Sequence, residues 1–125
     1  MKKSLDQALC KKYPEIFADR FGNAKTTAMC WGFEHGDGWA KIIDELCAKI
    51  MEVCGDHIPV ATQVKEKYGT LRFYIDWGNE AVFDAISEAE DQSAKTCEVC
   101  GKSGKLRGKD WVRTLCDKDN GSFLK

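Results

Sequence analysis

Trp39, Ile42, Ile43, Leu46, Cys47, Ile50 and Cys54 recur at intervals of three and four along EHGDGWAKIIDELCAKIMEVCGDH. That spacing puts all seven on one stripe of an α-helix, and such a stripe has to be covered by another apolar surface. Asp37 stands where an N-cap carboxylate would accept from free backbone amides, and Gly55 stands where a helix stops. The cover follows in PVATQVKEKYGTLRFYIDW, which reads as a β-hairpin turning at Tyr68-Gly69-Thr70. Leu71, Phe73, Ile75 and Trp77 alternate there with Arg72, Tyr74 and Asp76, the pattern of a strand with one buried face.

The flanking segments extend this plan. Residues 4–13 read as a short helix capped by Ser4, with Leu5, Leu9 and Cys10 on one face. The apolar run 27–34 reads as a strand, with Gly32 as a bulge or a point of close approach. Residues 79–94 read as a second long helix, capped by Asn79 and turning Val82, Phe83, Ile86 and Ala89 inward. The expected class is therefore α+β, a small antiparallel sheet packed by two main helices, over residues 1–94. At 125 residues and 43% hydrophobic content, the chain has material for one core plus an appended segment.

The appended segment is residues 95–125, where the composition changes. Residues 1–94 carry eleven Lys/Arg against sixteen Asp/Glu, and residues 95–125 carry eight against four. Within it, TCEVCGKSGKLRGKDWVRTLCDKDNG has Cys97-x-x-Cys100 followed by Gly101, then Cys116 and, with two residues between, Asp119. A C-x-x-C turn lets two thiolates approach one ion, and the strand WVRTL would bring Cys116 and Asp119 to the same point. Zinc is the expected ion, held by Cys97, Cys100, Cys116 and Asp119. Asp117, His35, His57 or water remain open as alternatives for the fourth ligand. The segment resembles zinc-ribbon and treble-clef fingers, which ordinarily end in Cys or His where this chain has Asp119. That resemblance implies a small metal-stapled finger packed on the core.

The other cysteines, Cys10, Cys30, Cys47 and Cys54, are spaced like core residues. An odd total of seven cysteines without a signal peptide points to a reducing cytoplasm. No apolar run reaches membrane-spanning length, so no membrane partner is expected.

Three further constellations carry charge or chemistry. WGFEHGDGW, residues 31–39, holds Glu34, His35 and Asp37 between two tryptophans. Without a nucleophile or a paired carboxylate, it reads as structure, with Trp31 and Trp39 in the core and His35 solvated. Glu80, Asp84, Glu88 and Asp91 share one helical face without a Lys or Arg among them. That face is either solvated or a docking surface for a basic partner. Lys102, Lys105, Arg107, Lys109 and Arg113 with Trp111 are the ingredients of a nucleic-acid contact. No phosphate-binding glycine loop, nucleotide fingerprint or serine elbow is present, and no catalytic residue is assigned.

MCWGFEHGDGW, VKEKYGTLRFYIDW and CEVCGKSGKLR with WVRTLCDKD together resemble a family of small uncharacterised proteins met in phages and prophages, over residues 28 to 119. The resemblance implies a phage-type accessory protein of the host cytoplasm. The expected function is a non-enzymatic, zinc-containing protein–protein binding module that meets a nucleic-acid-handling host complex, extending to anti-CRISPR-like inhibition of a bacterial defence system. The alternatives are a nucleic-acid-binding regulator using the basic finger and a zinc-dependent hydrolase.

Overall fold

The computed structural model describes residues 1–25 and 27–123, with side chains described up to residue 120. Thr26, in the expected 22–26 loop, and Leu124 and Lys125, assigned above to the finger, lie outside the described residues. Among those described, four α-helices run as α1 (Lys3–Lys12), α2 (Ala40–Val53), α3 (Glu80–Ser93) and α4 (Asp117–Phe123). The strands are β1 (Phe33–Glu34), β2 (Ala61–Lys67), β3 (Thr70–Ile75), β4 (Lys105–Arg107) and β5 (Arg113–Leu115). They form one sheet in the order β1-β2-β3 and a separate β4-β5 ribbon. The α+β class holds. The sheet is mixed rather than wholly antiparallel, because β1 pairs parallel with β2 while β2 and β3 form the antiparallel hairpin.

The apolar stripe of α2 is the centre of the core. Trp39, Ile43, Cys47 and Ile50 are fully enclosed, and they meet Val64, Leu71 and Phe73 from the hairpin and Val82, Ile86 and Ala89 from α3. Each large side chain removed from water in this way stabilises the fold by about 1.5–3 kcal/mol. The hairpin closes through Tyr68 (φ +53) and Gly69 (φ +84), the two left-handed positions of a type I′ turn. At the open edge of β3, Ser93 Oγ accepts from the Leu71 amide at 2.8 Å and Glu90 Oε2 accepts from the Phe73 amide at 3.2 Å. Two side chains of α3 thus occupy donors that would otherwise offer pairing to another chain.

Several local expectations give way to longer-range contacts. The run 27–34 is a 3₁₀ turn, Met29–Trp31, followed by the two-residue β1. The change comes at Gly32, whose φ of +77° lets the backbone pass under the Arg20 guanidinium; a Cβ there would lie 2.8 Å from Nη2. Arg20 is fixed by both carboxylate oxygens of Asp6, at 2.8 to 3.1 Å, and by the Cys30 carbonyl. Ser4 is not a cap, since α1 begins at Lys3 with no side-chain cap. Asn79 caps α3 as expected, accepting from the Val82 amide at 2.9 Å. Trp31, Trp77 and Phe83, expected inside, are exposed. Trp77 instead meets His57 edge-on, and His57 lies 3.4 Å from Asp76. Of the four expected core cysteines, Cys47 and Cys54 are buried and Cys10 and Cys30 are half-buried.

Candidate metal centre

The four spaced residues converge. The ligating atoms of Cys97, Cys100, Cys116 and Asp119 all lie within 4.8 Å of one another. The Cys97 and Cys116 thiols donate to Asp119 Oδ2 at 3.1 and 3.2 Å, and Cys100 Sγ lies 3.6 Å from Cys116 Sγ. A tetrahedral ion with sulfur at about 2.3 Å and oxygen at about 2.0–2.2 Å needs donors about 3.5–3.8 Å apart. The donor set is thus already near the size of a four-coordinate site, and these residues could hold a metal ion.

Each ligand has a local reason for its position. Cys97 and Cys100 flank a tight knuckle closed by Gly101 N–H to the Cys97 carbonyl at 2.9 Å, with Gly101 at φ +81°. The β4-β5 ribbon then returns the chain, pairing Leu106 with Thr114 and Arg107 with Arg113. Cys116 directly precedes α4, and its sulfur accepts from the Asp119 amide at 3.4 Å. Knuckle, ribbon and helix thus follow one another along the chain.

The protonation pattern fits a site that exchanges protons for a cation. Hydrogen bonds from Cys97, Cys116 and Cys100 hold the Asp119 carboxyl below the usual carboxylate range. For Cys100 the largest single influence, the Lys102 backbone amide, lowers the pKa. It is outweighed by burial and by hydrogen bonds with Asp119, Cys116 and Cys97, which together push the thiol up to about 12. A cation would replace those shared protons.

Of the alternative fourth ligands, Asp117 is exposed and pairs with Arg107 at 2.6 Å. His57 is engaged with Asp76 and Trp77. His35 is buried, not solvated, and lies between Phe33 and Trp39, with Nδ1 2.7 Å from the Gly36 carbonyl and Nε2 enclosed without a hydrogen-bond partner among the described residues. Burial brings its pKa down to about 4.

What the spacing could not reveal is how the finger is seated. The knuckle rests on the turn Gly36-Asp37-Gly38. Gly36 N–H donates to Glu98 Oε2 at 2.8 Å, Gly38 N–H to the Glu98 carbonyl at 2.6 Å, and the Trp39 indole to the Thr96 carbonyl at 2.9 Å. A Cβ on Gly36 would lie 2.5 Å from the Glu98 carbonyl oxygen, and one on Gly38 2.0 Å from that of Cys97. Both glycines are thus required by close approach. Asp37 is not the cap of α2; it accepts from the Lys2 amide at 2.6 Å. Glu98, only 5% exposed, also takes Arg113 at 3.4 Å. The one signal of this dock in the sequence was the crowding of glycine and polar residues in WGFEHGDGW.

The charged surfaces differ in how their charges are engaged. Glu80, Asp84, Glu88 and Asp91 are exposed on α3, and no ion pair reaches them among the described residues. Beside Glu88 and Asp91 lies a groove of about 410 Å³ between α2 and α3, floored by Ile42, Leu46, Ala85 and Ala89. In the finger, Arg107 is spent on Asp117 and the Leu115 carbonyl, and Arg113 on Glu98. Lys102, Lys105, Lys109 and Trp111 are exposed.

No helix of the described residues is long and apolar enough to cross a membrane. Compared with known proteins, the chain matches no family model, no curated protein and no solved structure.

Proposed function

We infer that this chain is a zinc-stapled protein-binding module whose docking face is the acidic side of α3. Zinc is the ion of choice for a site of three sulfurs and one carboxylate oxygen, since thiolates select soft cations and four converging donors suit a tetrahedral one. Asp119 fills the fourth position, which counts against a hydrolase, because that chemistry needs a metal position kept for water. The observation that carries the binding reading is the set of four exposed acids on α3, without ion partners among the described residues, beside a groove with an apolar floor. Like charges at that helical spacing repel by a few tenths of a kcal/mol per pair, roughly, so a cationic partner would relieve them. The target in this reading is a basic, nucleic-acid-handling complex of a bacterial host, the setting implied by the resemblance to phage proteins. Inhibition of a defence complex would follow from occupying its nucleic-acid channel.

Capture of partners from bacterial lysate, compared between the wild type and two charge reversals, tests this. Glu80→Lys with Asp84→Lys and Glu88→Lys should abolish capture while the circular dichroism is preserved. Lys102→Glu with Lys105→Glu and Lys109→Glu should leave it intact. The opposite ranking would transfer the function to the basic finger, and no change with either set would remove both electrostatic readings.

A further inference from the structure

The outer face of the β2-β3 hairpin breaks two local rules, one at the half-buried pair Lys65 and Arg72 and one at the exposed Tyr68. Lys65 lies directly opposite Arg72 in the antiparallel register, and like charges facing each other across strands destabilise a sheet. Lys67 extends the same face two residues on. No carboxylate pairs with Lys65 or Lys67 among the described residues; Glu34, beside Lys65 on β1, accepts instead from Gln63, and Arg72 reaches Glu90 only at 3.8 Å. The second exception is Tyr68. A type I′ turn favours Asn at its first central position, yet this chain holds a tyrosine at φ +53° with 75% of its surface in water. Tyr74, paired with Gln63 on the same outer face, is 42% exposed. Lys67 Nζ lies 5.6 Å from the centre of the Tyr68 ring, so a cation and a ring are already held together on this face. Departures from local preference of this kind are expected at functional positions.

The finger extends this surface. The hairpin tip abuts the β4-β5 ribbon, where Thr114 Oγ1 donates to the Gly69 carbonyl at 2.6 Å and a Cβ on Gly69 would touch Leu106 and Val112. Tyr68 is thereby placed next to the ribbon whose connecting loop carries Lys109 and Trp111. Two basic, aromatic segments some forty residues apart in the chain meet at one place.

We propose that the β2-β3 hairpin is a binding surface for single-stranded nucleic acid, with Lys65, Lys67 and Arg72 along the phosphates and Tyr68 and Tyr74 stacking on bases. The cations supply the charge complement of a phosphodiester backbone. Exposed rings interleaved with them suit unpaired bases, which offer a free face, better than a duplex, whose bases are stacked internally. The surface shares no residue with the acidic face of α3, so the two readings fail separately.

Fluorescence anisotropy of labelled oligothymidylate and oligouridylate with the full, metal-loaded chain tests the proposal. Saturable binding is expected, weaker for a duplex of equal length. Tyr68→Asn gives the turn its preferred residue, so the thermal midpoint should hold or rise while affinity falls about tenfold, the share of one base stack. Lys65→Gln with Lys67→Gln leaves the turn untouched and should also weaken binding. It should reduce the slope of log affinity against log salt by about 0.7 for each phosphate that is no longer neutralised. Absence of saturable binding at low salt would overturn the proposal. So would undiminished binding by both variants, a duplex bound as tightly as the single strand, or polyglutamate bound as tightly as the oligonucleotides.

Discussion

The amide of Gly38 donates to the carbonyl oxygen of Glu98 across 2.6 Å, so the turn that leads into α2 holds the backbone of the cysteine knuckle. A methyl group on Gly38 would fall 2.0 Å from the Cys97 carbonyl oxygen and 2.6 Å from the Gly101 amide nitrogen. Those are backbone atoms and cannot rotate aside. Gly38→Ala should therefore cost about 2–3 kcal/mol in stability, as an overpacked site does. It should also weaken metal binding, because relieving the clash moves the knuckle. Denaturant unfolding and a metal-competition titration on the same variant check both; wild-type values in either would refute the coupling.

One divalent ion per chain is expected, and Cys97→Ser should release it. The sign of its pH dependence follows from the thiols. With the Cys100 thiol pushed up to about 12, the metal-free site holds that proton at neutral pH and surrenders it on loading. Affinity should therefore rise with pH, by up to about tenfold per unit for each proton displaced, and fall on acidification. Calorimetric titration in buffers of different ionisation enthalpy counts those protons; a value near zero would mean the thiols do not ligate.

The parts of this fold legible in the sequence are those fixed by short-range periodicity. The stripe from Trp39 to Cys54 and the Leu71/Phe73 alternation each repeat a contact within a few residues, and both appear as expected, as does the Asn79 cap. The four converging residues that could hold a metal ion were legible for the same reason, since C-x-x-C and C-x-x-D are local spacings. Failures cluster where a partner sits far along the chain. Asp37 follows the local rule for a cap, but the turn around it is shaped by Glu98, and Gly32 is bent by Arg20. Trp31, Trp77 and Phe83 show that an apolar ring is no guarantee of burial, since much of any protein surface is apolar.

His35 should make the protein acid-sensitive in a defined window. Burial holds its pKa down to about 4 in the fold, against 6.5 ordinarily. As pH falls below 6.5 the unfolded chain takes up a proton that the folded chain refuses until about 4. Stability should thus be lost across that interval and not further below it, by about 3 kcal/mol in total. Comparing denaturant midpoints of wild type and His35→Phe from pH 7 to pH 4 isolates this share from metal loss, which both proteins undergo. Parallel curves would show that His35 does not carry it.

Ser93 is fully buried, accepts from the Leu71 amide and donates to the Glu90 carbonyl. Ser93→Ala leaves that amide buried without an acceptor, at a cost of about 1–3 kcal/mol. Hydrogen exchange at Leu71 should accelerate more than at the neighbouring Arg72, whose register on β2 is unchanged; equal protection of both would contradict the edge-capping role.

The seat of the knuckle also sets a timetable. The Trp39 indole waits for a carbonyl 57 residues later, and the Gly36 amide for a carboxylate 62 residues later. Chain emerging from a ribosome at about 5–20 residues per second has to hold the start of α2 unfinished for several seconds. The apolar stripe beyond it is covered sooner, as the hairpin and α3 emerge, so it is the turn over residues 36–39 that stays open through that interval. The arrival of Thr96 to Gly101 is what satisfies the Gly36 and Gly38 amides and the Trp39 indole, so the entry to α2, whose stripe starts the core, is the last part of that core to be closed.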